Sequence, residues 1–446
     1  MDGVSLSTKN IAIFTTFTSA DEAYSLNRVT IDQLKMLLRN GYKVKVIVAE
    51  GFQPKGIYTD PNVKIETIPN VPVHNEVKKD ETFAEDVEKL YNALKIILQG
   101  ADIVITHDII YQNAALKHNM AARKLAQEVP SIRWLHWIHS ATSPYTLVTL
   151  RNYFEDKYLE VMAKPFPNSF YIYFNDWSVP RIAQNFSVPE SSVKVVHHPS
   201  DVYEILDIGD EVREISEKYN FLKADAIAVY PVRLDRGKQV EFVIKTMASL
   251  KNHDMSVRVV VVDFHSTAGD KVTYRDNLRQ VGIDYKLAEG ELLFTSDLKP
   301  EWKYEIPHTC VLDFMALSNV FVMPSVSESY SLVTQEAGMQ GKVVVVNKDF
   351  PPFRDIFGKN IIERKFSSNV DILTGQDGFT KTAYGPNDVA PEQRLHYEKK
   401  YHYETAGLIK AKLLDGGPME LAMFLRKERN LQHVFKNELE PLFYAP

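Results

Sequence analysis

The sequence predicts an α/β protein with two domains, each built on a parallel β-sheet. Short runs rich in β-branched residues alternate with longer amphipathic segments, a pattern typical of β-α-β units. The alternation occurs twice, at residues 11–106 and 226–346, and the stretch 195–220 lies between the two series as an inter-domain connection. A chain of 446 residues with 45% apolar residues is also too long for one ordinary hydrophobic core, which favours two domains of about 200 residues each.

The first series of elements lies in the N-terminal part of the chain. Its short apolar runs predict strands, and the segments with amphipathic spacing between them predict helices. The predicted strands are Ile11–Phe14, Val44–Val48 and Ile103–Thr106, and the predicted helices are Thr30–Leu38 and Phe83–Leu98.

The second series repeats this pattern. Its predicted strands are Ala226–Tyr230, Val257–Val262, Leu292–Phe294, Val320–Met323 and Val343–Val346. Beyond it, Gly375–Gln393 is rich in Gly, Pro, Asp and Asn and predicts a long loop. Helical patterns follow at Arg394–Leu414 and at about Met419–Leu442.

The composition restricts location and partners. A formal net charge of −6 and a pI of about 6.1 give no overall attraction to polyanions, although a local basic groove stays compatible with them. Cys310 is the single cysteine, which excludes an internal disulfide, and the first residues lack a secretion signal. No run approaches the roughly 20 apolar residues that cross a bilayer, so we expect a cytoplasmic protein with at most peripheral membrane contact.

Two glutamates follow the strand predicted at Val320–Met323. The segment Pro324–Gly338 places Glu328 on the turn after this strand and Glu336 inside the helical pattern that comes next. A helix that begins at such a turn aims its unpaired N–H groups at the turn, which suits a phosphate group. The segment therefore predicts a phosphate site with one acidic residue on the loop and one on the helix.

A group of cations follows the first strand of the second series. Arg233, Arg236 and Lys238 lie in the segment Tyr230–Gln239. Arg233 and Lys238 can converge on one diphosphate and stabilise its negative charge, as a metal ion does in other enzymes. A solvated turn is the alternative, and the two glutamates downstream favour the functional interpretation.

Together these segments resemble the Glu-x7-Glu signature of retaining nucleotide-sugar glycosyltransferases of the family 4-like, group 1 type, which have the GT-B fold. The resemblance is strong over residues 226–358 and looser over residues 9–200. It implies two Rossmann-like domains whose parallel sheets face a central cleft. The implied domains are 1–205 on the acceptor side, 206–425 binding the nucleotide sugar, and 426–446 forming a C-terminal helix that returns to the first domain.

The resemblance assigns roles to the charged residues of the second domain. Glu328 would contact hydroxyls of the donor sugar, and Glu336 would accept hydrogen bonds from the ribose diol, because a carboxylate has two oxygens at matching spacing. Arg233 and Lys238 would hold the diphosphate. Arg236 is the substitute for Lys238, because the Lys-Gly order of the family is reversed in this chain.

The phosphate loop departs from the family pattern. The family usually has Gly-Phe-Gly between the two acids, and this chain has serines at both glycine positions. Serine keeps the backbone amide and adds a hydroxyl donor, so phosphate binding stays plausible if the loop tolerates side chains. The nucleotide-binding residues implied for this loop are Ser329, Tyr330, Ser331 and Leu332.

In the first domain the resemblance points to a histidine. The resemblance implies a strand at Ser131–Ile138, and His139, which follows it, would donate to a hydroxyl of the donor sugar, with His136 as the alternative. His107 is a weaker candidate at the end of the preceding strand. For Trp134 and Trp137 both core packing and stacking on a sugar ring stay open.

Other segments receive structural interpretations. The turn Thr15–Arg28 lacks the glycines that the family carries after its first strand, which predicts a different acceptor. We interpret His198 and Asp201 as hinge residues. The aromatic and basic stretch from His396 to His402 favours a packed helix over an acceptor-binding surface.

The resemblance thus implies a retaining glycosyltransferase that uses front-face displacement and requires no metal or other cofactor. The donor expected is a UDP-sugar, with GDP- and ADP-sugars as alternatives. The acceptor stays open among a glycan, a lipid-linked sugar, a small molecule and a hydroxylated nucleic-acid base, and so does the oligomeric state. The alternatives are a GT-B sugar phosphorylase, a nucleotide-sugar epimerase, and a nucleotide-sugar-binding protein that has lost catalysis.

Overall fold

The computed structural model divides by its internal contacts into two units. The first unit contains residues 1–201 together with 428–446, and the second contains residues 202–427. The structure describes residues 9–21, 24–71, 82–140, 161–264, 271–325, 331–348, 353–354, 358, 360–365, 390–415 and 418–445.

The first unit is built on a seven-stranded sheet in which every pair of neighbouring strands is parallel. The strand order is β3-β2-β1-β4-β5-β6-β7. The strands are β1 Ile11–Phe14, β2 Val44–Ala49, β3 Val63–Ile68, β4 Ile103–His107, β5 Arg133–Trp137, β6 Ser169–Tyr173 and β7 Val193–Val195.

Helices connect these strands and bury both faces of the sheet. Alternate residues of β1 show this, because Ala12 and Phe14 lie in one apolar cluster and Ile11 and Ile13 in the other. Burial on both faces explains the nearly continuous apolar runs of these strands. The helices are α1 Ser25–Arg39, α2 Phe83–Ile97, α3 Leu116–Glu128 and α4 Val179–Asn185.

The C-terminal segment of the chain packs in the first unit. Phe435 and Phe443 each lie edge-to-face against Tyr42, and Glu438 accepts hydrogen bonds from the backbone N–H and the ring Nδ1 of His197. The prediction of a single helix at about Met419–Leu442 is wrong in one respect, because one helix ends at Glu428 and another begins after Asn430. The Asn430 side chain caps a new helix by accepting from His433 N at 2.9 Å.

The second unit is built on a six-stranded parallel sheet in the order β10-β9-β8-β11-β12-β13. Its strands are β8 Ala226–Arg233, β9 Val257–Phe264, β10 Leu292–Phe294, β11 Val320–Met323, β12 Val343–Asn347 and β13 Ile362–Arg364.

One large apolar cluster forms the core of the second unit. The stretch 195–220 contributes to it, since Val212 and Ile215 of a helix in that stretch are buried there. His402 is fully buried and bonds to Thr246 Oγ1 at 2.9 Å. The remaining helices are α5 Val202–Ile205, α6 Asp210–Lys218, α7 Val240–Ser249, α8 Lys271–Asp284, α9 Thr295–Leu298, α10 His308–Leu317, α11 Leu332–Met339, α12 Pro391–Leu414, α13 Pro418–Glu428 and, in the first unit, α14 Leu431–Val434.

The predicted fold class is confirmed. The chain has two Rossmann-like α/β units with parallel sheets, an architecture consistent with the GT-B class. Most of the loop predicted at Gly375–Gln393 lies outside the described residues. Within the described parts of the chain, no helix combines the length and the apolar character that crossing a membrane requires.

Candidate active site

The candidate donor site lies at the carboxyl edge of the second sheet. Strand order reverses beside β8, with β9 and β10 on one side and β11, β12 and β13 on the other. Ligands of open parallel sheets bind outside the carboxyl ends of the strands at such a switch point. Arg233 ends β8, and Pro324 and Ser325 follow β11, so the predicted site residues lie at this position.

Arg233 presents its guanidinium at this edge. The side chain is 53% exposed, and its Nε lies 3.5 Å from Asp235 Oδ2. An exposed ion pair at that distance contributes little to stability. The guanidinium can therefore exchange this partner for an anionic ligand at small cost.

Lys238 lies on the turn that follows β8. Its Nζ is 3.4 Å from Ser325 Oγ, so the ammonium points at the loop after β11. The backbone of this turn is fixed, because the Tyr230 hydroxyl donates to the Lys238 carbonyl at 2.9 Å. Arg236 belongs to the same turn, and its side chain lies outside the described residues.

The loop that carries Glu328, Ser329 and Tyr330 lies outside the described residues. Its last position, Ser331, is the N-cap of α11 and has φ 71° and ψ 78°. This left-handed conformation favours glycine. Ser331 therefore adopts a backbone conformation that favours glycine, at a position where the family pattern has glycine.

Helix α11 begins at the switch point and carries the second glutamate. Its buried residues Thr334 and Ala337 face the sheet. Leu332 at its first turn is 68% exposed, and Glu336 on its second turn is half-buried. The first backbone N–H groups of this helix have no carbonyl partner within the helix, so they can bind an anion in front of it.

In the first unit the corresponding switch point lies between β1 and β4 and contains a cavity of about 310 Å³. Phe17 and Tyr24 contribute aromatic rings to its wall, packed edge-to-face with centroids 5.9 Å apart. The polar residues in the described part of its lining are Thr16, Thr18, Asn70, His107, Asp108, Gln112 and His118.

Asp108 follows β4 in the left-handed conformation, with φ 56°. Its Oδ1 accepts from the Tyr111 hydroxyl at 2.5 Å and from the backbone N–H of His139 at 3.1 Å. Burial is the main cause that raises the pKa of Asp108 above 3.8. This carboxylate therefore fixes the backbone of the loop that carries His139.

Three histidines cluster at the carboxyl edge of the first sheet. His107 Nδ1 lies 3.0 Å from His139 Nε2, and the His139 ring lies nearly parallel to that of His198 with centroids 6.1 Å apart. Burial lowers the pKa of His107 well below 6.5 and lowers the pKa values of His139 and His198 to about 4. All three rings are therefore neutral near pH 7.

His136, the alternative to His139, lies in the core. Its side chain is fully buried, its Nδ1 bonds to Thr106 Oγ1 at 2.8 Å, and its ring packs on Phe166. Trp134 and Trp137 are also buried. The ring of His139, and not that of His136, therefore lies at the edge where ligands of parallel sheets bind.

The sequence did not indicate that His198 and Gln33 join this cluster. His198, interpreted as a hinge residue, packs against His139. Gln33, on α1, lies 3.0 Å from His107 Nε2. The remaining hinge candidate, Asp201, forms ion pairs with Lys35 and Arg39 in the first unit.

The predicted site residues thus fall in two places. Arg233, Lys238, Ser331, Leu332 and Glu336 lie near the switch point of the second unit, and His139 lies at that of the first unit. Within the described ranges, no group of three or more His, Cys, Asp or Glu side chains is arranged to hold a metal ion.

The second unit matches a known family. Residues 211–368 match the family described as glycosyl transferases, group 1. The matched range covers less than half of the chain, and it includes both cations, the loop after β11 and α11. The match supports a group 1 glycosyltransferase domain in this unit.

Comparisons with solved structures give distant likenesses. The Anabaena protein HepE in complex with UDP is 14% identical, with 98% of this chain and 100% of that chain covered and a TM-score of 0.32. Sucrose-phosphate synthase from Thermosynechococcus elongatus is 18% identical, with 93% and 99% covered and a TM-score of 0.32. Scores of this size do not establish a shared fold, so the fold assignment follows from the sheet topology of the chain. No curated protein matches the sequence.

Proposed function

We propose that this chain is a retaining glycosyltransferase of the Glu-x7-Glu type, which moves a sugar from a nucleoside diphosphate to a hydroxyl acceptor. One observation carries the proposal: at the switch point of the second sheet, Arg233 and the Lys238–Ser325 contact lie within the segment that matches the group 1 family. Two cations beside the N-terminus of a helix suit a diphosphate leaving group.

The proposed reaction is a front-face displacement. The bond between the anomeric carbon and the diphosphate oxygen breaks, and the acceptor oxygen forms its bond to the anomeric carbon on the same face. The departing diphosphate oxygen takes the proton of the acceptor hydroxyl, so the step needs no separate base. Arg233, Lys238 and the N-terminal amides of α11 stabilise the negative charge on the diphosphate.

The other predicted residues would orient the donor. Glu336 lies on the second turn of α11, where its carboxylate would accept from the ribose hydroxyls. Glu328 would contact the donor sugar, and Arg236 and the amides of the loop would add phosphate contacts. His139 would contact a hydroxyl of the donor sugar. A UDP-sugar is the first donor to test, followed by GDP- and ADP-sugars.

For the acceptor, the cavity of the first unit supports an uncharged hydroxyl compound. Aromatic rings interleaved with Thr16, Asn70 and Gln112 suit a sugar-like ring, and the volume of about 310 Å³ is at the small end for small-molecule sites. Among its described lining residues, Asp108 is acidic and none is a lysine or arginine. Transfer to a neutral compound should therefore exceed transfer to the phosphate ester of the same compound, and the opposite preference would contradict this choice.

The donor proposal is tested by ligand-induced stabilisation. The melting temperature of the purified protein would be measured with UDP, GDP, ADP and their sugar conjugates, with Arg233→Ala in parallel. A ligand at a hundred times its Kd adds about 2.7 kcal/mol of stability. Stabilisation by one nucleotide that Arg233→Ala loses would support the site. Stabilisation without transfer to any acceptor would indicate a nucleotide-sugar-binding protein that has lost catalysis. If none of the nucleotides stabilises the protein, the proposal is contradicted.

A further inference from the structure

A chain of hydrogen bonds links helix α1 to His139 inside the first unit. Gln33 Oε1 lies 3.0 Å from His107 Nε2, and His107 Nδ1 lies 3.0 Å from His139 Nε2. The His107 and His139 centroids are 5.3 Å apart with an interplanar angle of 26°. This is close to an edge-to-edge arrangement, in which a ring N–H can point at the lone pair of the other ring.

The tautomers of the two rings depend on each other. A neutral imidazole carries one N–H and one lone pair, and burial keeps both rings neutral near pH 7. The contact between His107 Nδ1 and His139 Nε2 therefore needs the proton on one side and the lone pair on the other. The partner of His107 Nε2 decides which ring donates.

Gln33 and Thr30 indicate which of the two histidine rings donates the hydrogen bond between them. With Gln33 Oε1 facing His107, Nε2 of His107 must carry the proton. Thr30 Oγ1 also faces this nitrogen, at 3.5 Å, while its own proton is directed at the Leu26 carbonyl at 3.0 Å. The hydroxyl oxygen can then only accept from His107. This orientation leaves Gln33 Nε2 without a hydrogen-bond partner among the described residues, whereas reversing the amide would place the lone pair of His107 Nε2 against the lone pairs of Thr30 Oγ1.

The protonation of His139 follows from this direction. His107 uses its N–H on Gln33 and presents a lone pair at Nδ1, so His139 donates from Nε2. Nδ1 of His139 is then unprotonated. Within the described part of the chain, no hydrogen bond reaches this nitrogen. The loop is held at the same point, because the His139 backbone N–H donates to Asp108 Oδ1 at 3.1 Å.

We propose that Gln33 is a positioning residue that acts through His107 to keep Nδ1 of His139 unprotonated, so that this nitrogen accepts a hydrogen bond from a sugar hydroxyl. The proposal rests on the proposed function for the identity of the ligand. It reverses the expectation from the sequence, in which His139 donates to the hydroxyl. Gln33 is 1% exposed and therefore affects the ligand only through the chain of contacts.

The first test observes the protons directly. Long-range ¹H–¹⁵N correlation spectra of the full chain with ¹⁵N-labelled histidine rings distinguish the two tautomers at pH 7.5, and His139→Gln assigns the signal. We expect an unprotonated Nδ1 for His139 in the wild type. Gln33→Met removes the acceptor and should produce a mixture of tautomers, whereas Gln127→Met, an exposed site on α3, should change nothing. A protonated Nδ1 in the wild type, or an unchanged tautomer in Gln33→Met, overturns the proposal.

A second variant keeps the test decisive if Gln33→Met does not fold. Gln33→Leu also removes the acceptor, without introducing a charge, and should produce the same mixture of tautomers. Once a donor is identified, kcat/KM should fall three- to tenfold in Gln33→Met and in Gln33→Leu. Unchanged kcat/KM in Gln33→Met, despite mixed tautomers, would refute the positioning role. The spectra give their answer whether or not transfer is found, so failure of the proposed function is distinguishable from failure of this inference.

Discussion

The ammonium group of Lys238 lies 3.4 Å from the hydroxyl oxygen of Ser325, although the two residues are 87 positions apart. The contact joins the turn after β8 to the beginning of the loop after β11. Ser325 is itself held in place, because its carbonyl accepts from the Asn347 side chain at 3.1 Å. The cation is therefore positioned at the beginning of the loop that carries Glu328.

We expect Arg233→Ala and Lys238→Ala each to lower kcat by about a hundredfold, because one preorganised electrostatic contact contributes on the order of 3 kcal/mol to transition-state stabilisation. The measurement is turnover with the nucleotide sugar that stabilises the wild type. Arg233 is exposed at the end of β8 and Lys238 is half-buried on the turn that follows, so neither is a core residue and the melting temperature without ligand should stay close to that of the wild type.

Lys303→Ala is the matched control for these cations. Lys303 is an exposed lysine of the second unit, outside the segments Tyr230–Gln239 and Pro324–Gly338, and its ammonium group lies over the Tyr304 ring. It should leave turnover unchanged. Near-wild-type turnover in both Arg233→Ala and Lys238→Ala would eliminate the proposed stabilisation of the leaving group.

Glu336→Gln should weaken nucleotide binding more than it slows transfer at saturating donor. A hydrogen bond to a charged group contributes about 1.5–3 kcal/mol, which corresponds to a roughly ten- to hundredfold rise in Kd. Calorimetric titration with a nucleoside diphosphate and with its 2′-deoxy analogue gives the test. The wild type should prefer the ribose form, and Glu336→Gln should lose this preference. Gln340→Ala, exposed at the end of α11, is the control; a preference retained in Glu336→Gln would assign the ribose contact elsewhere.

Ser331 allows backbone conformation and hydroxyl to be tested separately. Its φ of 71° costs a non-glycine residue roughly 1–2 kcal/mol, and its hydroxyl bonds to Thr334 Oγ1 at 2.8 Å. Ser331→Gly removes both the cost and the bond, so its melting temperature should stay near that of the wild type. Ser331→Ala keeps the backbone cost and loses the bond, so it should be less stable by about 1 kcal/mol. Transfer should persist in Ser331→Gly if the amide binds phosphate; a large loss would assign that role to the hydroxyl.

The elements that the sequence predicted best are those buried on both faces. β1 and β11 are continuous apolar runs, and the structure places them inside their sheets. The strands that were not predicted lie toward the edges. In β3 charged residues interrupt the apolar pattern, and β7 and β13 have three residues each. An edge strand buries fewer residues, so its sequence carries a weaker signal.

In the candidate site, too, some features could be predicted from the sequence and others could not. The positions of the cations and of Glu336 relative to the second sheet could be predicted because these residues follow strands within one β-α-β pattern, where sequence distance determines position. The contacts of His139 could not, since Gln33, His107 and His198 reach it from three separate parts of the chain. Strand order, and not spacing along the sequence, brings them together. The tautomer of His139 depends on these contacts, so the sequence alone does not determine it.

The histidine cluster predicts how stability depends on pH. The pKa of His198 is about 4 in the folded chain, where burial is the main cause, and about 6.5 in an unfolded chain. Between these values the unfolded chain binds more protons, so the free energy of unfolding decreases as the pH falls. The stabilisation from His198 is complete above about pH 6.5 and is lost toward pH 4. His198→Phe removes this pH-dependent contribution to the free energy of unfolding. The melting temperature of the variant should therefore fall less than that of the wild type between pH 7 and pH 5.

Tryptophan fluorescence suits this measurement, because three of the four tryptophans, Trp134, Trp137 and Trp177, lie in the first unit. Carboxylates that titrate over the same range contribute equally to both proteins, so the difference between the two pH dependences isolates His198. The exposed His396 provides the control, and His396→Gln should follow the wild type at both pH values. Equal losses of melting temperature in the wild type and His198→Phe would mean that His198 is not held neutral by its burial. The argument for neutral rings, on which the assigned tautomer of His139 depends, would then lose part of its support.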